Sequence, residues 1–179
     1  MKTSLKIIEF YNNLEKVSSD NNVEVLDPYK NPEVKEIYNS FYSKFFNDSD
    51  KRIILFGINP GRFGGGITGI PFTDPYNLFK YCGIESKFDQ KKELSSKFIY
   101  DMINSYGGVE KFYKKFFISS ICPYGFTFNG NNLNYYDDID LFNKWKNKIV
   151  EWIKFEVKNI ATKKICVIIG KGKNQKFFE

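Results

Sequence analysis

With 179 residues, 42% of them hydrophobic and 18% aromatic, the chain has the length and composition of one domain with its own core. It carries a formal net charge of +6 and no His, its three cysteines (Cys82, Cys122, Cys166) are far apart, and no apolar run is long enough to span a bilayer. These features exclude helical membrane spans, His-based triads, the usual zinc spacings and a disulfide framework, and they point to a reducing cytoplasm. The positive balance suits a polyanionic partner. A composition rich in Lys, Asn, Phe, Tyr and Ile throughout accounts for the charge as well.

Residues 4–17 carry apolar side chains at helical spacing and turn polar too soon for a secretory signal. The same spacing predicts a helix over 32–46, with Asn31 as its cap and Pro32 in its first turn. "RIILFGI" (52–58) is a continuous apolar run without alternation, the pattern of a strand covered on both faces. From its end runs "GINPGRFGGGITGIPF" (57–72), sixteen residues with six glycines and two prolines. A link in a compact α/β unit needs only about 2–6 residues. "TDPYNLFKYC" then opens a helix, with Asp74 as N-cap and Pro75 in the first turn. Helices are predicted over 93–106 and 109–115, broken at Gly107-Gly108. "FFISSI" (116–121) is a second buried strand, stopped at Cys122-Pro123. The polar "YGFTFNGNNLNYYDD" reads as a loop with a short hairpin at "FNGNN". A long amphipathic helix follows over 137–159, with Asp137 and Asp138 suited to its start. "KKICVIIG" (163–170) is a third buried strand, and "KGKNQKFFE" turns toward a helix.

Three buried strands separated by helices imply a parallel sheet with helices on both faces, and ligands of such sheets sit beyond the carboxyl ends of the strands. Those ends carry "GINPGRFGGG", "SSICPYG" and "GKGKN", so all three unusual segments converge on one edge. Glycines there permit positive φ and a close approach of ligand to main chain. No Walker A run exists, and "GKGKNQ" has two of the three glycines of a dinucleotide fingerprint, a pattern that tight strand-to-helix packing also produces. Asn59 can hold a water with one amide group and a substrate with the other, or it can close an Asx-turn. Phe72 can stack on a planar base, or it can anchor the loop in the core. Of 27 basic residues only Arg52 and Arg62 are Arg, and Arg62 lies inside the glycine loop.

"GINPGRFGGGITGIPF" resembles motif 1 of the single-strand-selective monofunctional uracil-DNA glycosylases, within the uracil-DNA glycosylase superfamily. The family pattern is roughly G-M-N-P-G-x-F-G-x-x-x-T-G-V-P-F, and it aligns without a gap. "FFISSICPYGFTFNGNNLNYYD" resembles the family's strand ending in N-L-C-P with its following loop, and "KKICVIIGKGKNQ" its strand ending in G-x-G. The similarity runs from about Asn31 to the C-terminus. "NPGRFGGG" and "PFTDP" look closer to the second, bacterial SMUG subfamily than to the vertebrate type.

The resemblance implies an α/β fold, three-layer α/β/α with a central, mainly parallel sheet, as one domain over 1–179 with a helical extension over 1–30. It implies a monomeric base-excision repair glycosylase of the bacterial cytoplasm, associated with the nucleoid. Such an enzyme hydrolyses the N-glycosidic bond of uracil or other deaminated bases in single- or double-stranded DNA, without cofactor, metal or membrane. Asn59 matches the family's water-positioning Asn, and Phe72 the aromatic that stacks on the extruded base. The backbone near Ile58, Gly61 and Gly65 matches the segment that contacts the base edge. Arg62, Lys171 and Lys173 are the expected DNA contacts.

Two departures matter. Ser120 stands where the family has an Asn that pairs with the uracil edge. A hydroxyl cannot read two adjacent groups at once, so discrimination should relax and deaminated purines become acceptable. The family's His-Pro segment, which follows a fourth strand, has no counterpart here. A chain truncated at its C-terminus, without the final strand and helix and with weak or absent activity, is therefore expected. Two other readings remain open: an inactive single-stranded-DNA-binding module of the same fold, and a nucleotide-binding α/β protein that uses "GKGKN".

Overall fold

The computed structural model describes residues 1–15, 22–170 and 172–179. Its elements follow in the order α1 (Thr3–Asn12), β1 (Val23–Leu26), a 3-10 turn (Pro28–Lys30), α2 (Pro32–Phe45), β2 (Arg52–Gly57), α3 (Gly65–Thr68), α4 (Pro75–Cys82), α5 (Leu94–Tyr106), α6 (Val109–Tyr113), β3 (Phe116–Ser120), β4 (Gly125–Phe128), β5 (Asn131–Leu133), α7 (Ile139–Asn159), β6 (Ala161–Ile168) and α8 (Lys173–Phe178).

The three continuous apolar runs form one parallel sheet in the order β3-β2-β6. Consecutive residues of β2 and β3 are buried, which is possible only when both faces of the sheet are covered. The third run forms a strand but not a buried one: β6 lies at the sheet edge, with Ile165, Cys166 and Val167 exposed. In register, Gly57 lies opposite Ser120 and Phe56 opposite Ile168. The three strands run the same way, so their carboxyl ends share one edge, as the sequence predicts. The helix α2 buries Val34, Ile37, Tyr38, Phe41, Tyr42 and Phe45, a stripe at spacings of three and four. Asn31 caps it by accepting from the Glu33 amide at 2.9 Å. Arg52 belongs to this core: its guanidinium is fully buried and donates to Tyr113 O (2.7 Å), Asp50 O (2.8 Å) and the Asp48 carboxylate (2.7 Å). The Asp48 carboxyl is held below its usual range first of all by that guanidinium bond.

Several elements differ from the sequence reading. The first helix stops at Asn12, and residues 16–21 lie outside the described residues. The segment expected as a helical extension also holds β1, which pairs antiparallel with β4 in a second sheet of order β1-β4-β5. "VEVL" is four residues long with one exposed side chain, too short to show a period. Its partner strand lies some hundred residues onward, from Leu26↔Gly125 to Val23↔Phe128. The hairpin at "FNGNN" joins β4 to β5 through Asn129 and Gly130, both at positive φ (48° and 72°), as a two-residue hairpin turn with the twist of its strands requires. Asp138, not Asp137, caps α7, accepting from the Leu141 amide at 2.7 Å. Asp137 instead takes both the amide (3.0 Å) and the side chain (2.7 Å) of Asn134. Among the described residues no helix is long and apolar enough to cross a membrane.

Candidate active site

The glycine loop leaves β2 at the shared edge and folds on one carbonyl. Gly61 O accepts from the amides of Gly64 (3.3 Å) and Gly66 (2.9 Å). A methyl at Gly66 would sit 2.6 Å from that oxygen, so only glycine closes this turn. The chain comes back at Phe72, which adopts a left-handed backbone with φ of 54°. For an aromatic residue this costs about 1–3 kcal/mol and needs a surround that imposes it. The surround is visible: the Thr68 hydroxyl donates to Thr73 O at 2.6 Å, and the Thr73 hydroxyl pairs with Tyr100 Oη at 3.1 Å. The result is that the Phe72 ring lies against Gly57. A methyl there would fall 2.5 Å from Phe72 Cζ and closer still to Cε2. The ring is half-buried and packs on the core from one side. It is thus both a loop anchor and a partly open aromatic face at the strand end.

The half-buried Asn59 side chain is fixed from across the molecule. Its Nδ2 donates to Leu133 O at 3.2 Å, and its Oδ1 accepts from the Tyr135 amide at 3.1 Å. Both partners are main-chain groups of opposite polarity, so the carboxamide has only one orientation. They lie 74 and 76 residues away, so the bonds that orient the side chain are not those of an Asx-turn. One N–H keeps only a 3.5 Å approach to Pro60 O, and one lone pair of Oδ1 is uncommitted.

The amides of Gly61 and Gly65 have no acceptor among the described residues, and Gly65 is buried. An orphaned buried N–H group such as that of Gly65 is rare, and together with the half-buried Gly61 amide it makes a donor set for an incoming oxygen. Ile58 is half-buried, and its carbonyl accepts from the Cys122 amide at 3.1 Å. Ser120 is buried beside Gly57, and its hydroxyl bonds to no other described group. Asn59, Ile58, Gly61, Gly65, Phe72 and Ser120 therefore belong to the ends of β2 and β3 and the one loop that leaves β2.

A model of the uracil DNA glycosylase superfamily matches residues 43–179. The chain belongs to the uracil DNA glycosylase superfamily. Its structure is similar to the crystal structure of wild-type SMUG2 from Pedobacter heparinus, with 42% identity and a TM-score of 0.93 over 99% of this chain and 80% of that one. No match is found among curated proteins. The α/β architecture with a mainly parallel central sheet is that of a DNA glycosylase, and the chain falls in a family of hydrolases that act on DNA in base-excision repair.

The remaining expected residues of this glycosylase fold are less central. The Arg62 amide donates to Asn132 Oδ1 at 3.1 Å, while its guanidinium lies over the Phe63 ring, 4.5 Å from the centroid. Lys173 opens α8 beyond the end of β6, exposed, with its ammonium 3.9 Å from Asp137 Oδ1. Lys171 lies outside the described residues. In "GKGKN", Asn174 donates to Ile169 O at 2.9 Å and so ties α8 to the end of its strand, a packing role.

Glu93 is a group the sequence did not announce. Its carboxylate occupies the space where side chains at Gly61 and Gly64 would go, and its amide donates to Asp74 Oδ2 at 2.8 Å. Asp74 meanwhile caps α4 by accepting from the Asn77 amide at 2.7 Å. Burial raises the Glu93 pKa, a bond from Ser95 opposes the rise, and the Asp74 charge adds to it. In sequence Glu93 ends the polar run "FDQKKE", which has the look of a solvated face. Only the fold brings it against motif 1.

Proposed function

We propose that this chain is a monofunctional DNA glycosylase that releases uracil and other deaminated bases, acting as a monomer in the bacterial cytoplasm on nucleoid DNA. The observation that carries this reading is the Asn59 carboxamide, held in one orientation by main chain at both of its ends, beside two glycine amides without acceptors. Hydrolysis of an N-glycosidic bond passes through an oxocarbenium-like sugar and an anionic leaving base. It needs a water aimed at C1′ and donors for the departing charge, and no covalent enzyme intermediate. The uncommitted lone pair of Asn59 Oδ1 accepts from that water. The N–H groups of Gly61 and Gly65 meet the base oxygen, where each donor contributes roughly a hundredfold or more. The Phe72 ring stacks on the extruded base, which must lie flat against the loop to reach these donors.

Ser120 sets the selectivity of this scheme. One hydroxyl reads one edge group, so uracil and deaminated purines compete on nearly equal terms. Ser120→Asn should restore a two-point reader and raise the ratio of uracil to hypoxanthine release by about five- to 150-fold, from roughly 1–3 kcal/mol of added discrimination. Competition between the two lesions in one reaction measures that ratio, and an unchanged ratio removes Ser120 from the base edge.

The function itself is tested by incubating the protein with single-stranded oligonucleotides bearing uracil or hypoxanthine, then cleaving abasic sites with alkali. Strand scission at the lesion supports the reading. Salt-sensitive binding without scission assigns the chain instead to an inactive single-strand-binding module.

A further inference from the structure

Phe63 stands out on the loop that carries the site. It is 38% exposed and is not among the residues packed on the core, unlike Phe72 nine residues later. Two cations address its ring: the Arg62 guanidinium at 4.5 Å and the Lys91 ammonium at 5.4 Å from the centroid. Lone exposed aromatics are ordinary on protein surfaces. This one is not on a loose tip. The loop beneath it is held by Arg62 N on Asn132 Oδ1 (3.1 Å), by Gly64 N on Gly61 O (3.3 Å) and by the Glu93 carboxylate packed against Gly61 and Gly64. The Phe63 amide has no acceptor among the described residues either. A rigid aromatic face rimmed by two cations is the arrangement that binds an unpaired base by stacking and its phosphates by charge.

We propose that Phe63 is a stacking platform for an unpaired base next to the extruded nucleotide, with Arg62 and Lys91 on the flanking phosphates. This rests on the DNA glycosylase reading, because it places a strand across motif 1. In duplex DNA the neighbouring base stays stacked on its own helix, so the platform acts on single strands, gaps and frayed ends. Stacking of this kind tolerates any base.

The test uses the whole chain and a labelled single-stranded oligothymidine without any lesion. Phe63→Ala should weaken binding roughly tenfold, and Phe63→Trp should restore it. The indole fluorescence of Phe63→Trp should be quenched on binding, against a steady background from Trp145 and Trp152, which lie in the core. Lys91→Ala should lower the slope of log affinity against log salt by about 0.7. Wild-type affinity in Phe63→Ala, or unquenched fluorescence at saturation, overturns the platform. Both outcomes are independent of base release. A wild-type chain that releases no base but loses strand affinity in Phe63→Ala keeps the platform and fails the glycosylase reading; the converse fails the platform alone.

Discussion

Asn59→Ala is expected to lower base release from a uracil-containing single strand by roughly a hundredfold or more, the scale of a misplaced reactant in an otherwise intact site. The expectation follows from how the side chain is held. Because Leu133 O and the Tyr135 amide grip opposite ends of the carboxamide at 3.2 and 3.1 Å, the group cannot rotate to follow a water; it fixes where the water stands. Truncation also leaves those two main-chain groups without partners, at a cost of about 1–3 kcal/mol. The variant should therefore unfold some degrees earlier, and its activity must be measured well below that temperature. The assay is single-turnover release, quantified by alkaline scission. A folded Asn59→Ala protein that retains wild-type release would remove the residue from the chemistry and leave it only its bracing of the chain after β5.

Glu156→Gln should stabilise the protein at pH 8 and leave its stability nearly unchanged at pH 4. Glu156 is 1% exposed, on the inner face of α7, and accepts from the Ser119 hydroxyl at 2.6 Å. Burial raises its pKa from an ordinary 4.5 to about 8, with the Ser119 bond pulling the other way. The folded chain thus holds a proton that the unfolded chain gives up. Below pH 4.5 both states are protonated and the group costs nothing. Between there and about pH 8 stability declines as pH rises, by about 3–5 kcal/mol in all. Gln keeps an acceptor for Ser119 and cannot ionise, so the decline disappears. At about 2–4 °C per kcal/mol for a chain of this size, the variant should melt about 6–20 °C above the wild type at pH 8. Thermal unfolding at steps from pH 4 to pH 8 measures the difference, and a gap independent of pH would show that Glu156 is not the buried ionising group proposed.

Much of the frame was legible because its signals are local. β2 and β3 are runs of consecutive apolar residues buried on both faces of the sheet. β6 carries the same signal, but as an edge strand it leaves Ile165, Cys166 and Val167 exposed. Asn31 and Asp74 cap the helices they precede, since a cap acts on amides only two or three residues away. The two arginines divide as their neighbourhoods differ: Arg52 is locked in the core and Arg62 rides on the loop. What was not legible is long-range. Strand β1 owes its existence to β4, and it lies within the same N-terminal segment as the helix α1. The orientation of Asn59 is decided by the chain after β5, and the side-chain space of Gly61 and Gly64 by Glu93. No window along the sequence contains both partners of those contacts. The left-handed backbone of Phe72 is mixed: Thr68 and Thr73 beside it are local, while Tyr100, which pairs with Thr73, is reached only through the fold.

The central claim is that an extruded base is gripped between the glycine-loop amides and the Phe72 ring. Glycine-selective ¹⁵N labelling, followed by titration with free uracil in the presence of an abasic single strand, tests it most directly. The amide resonances of Gly61 and Gly65 should move downfield together, and the Phe72 ring protons should shift with the same midpoint. Saturating titration that leaves both amides in place, while resonances elsewhere respond, would contradict the account.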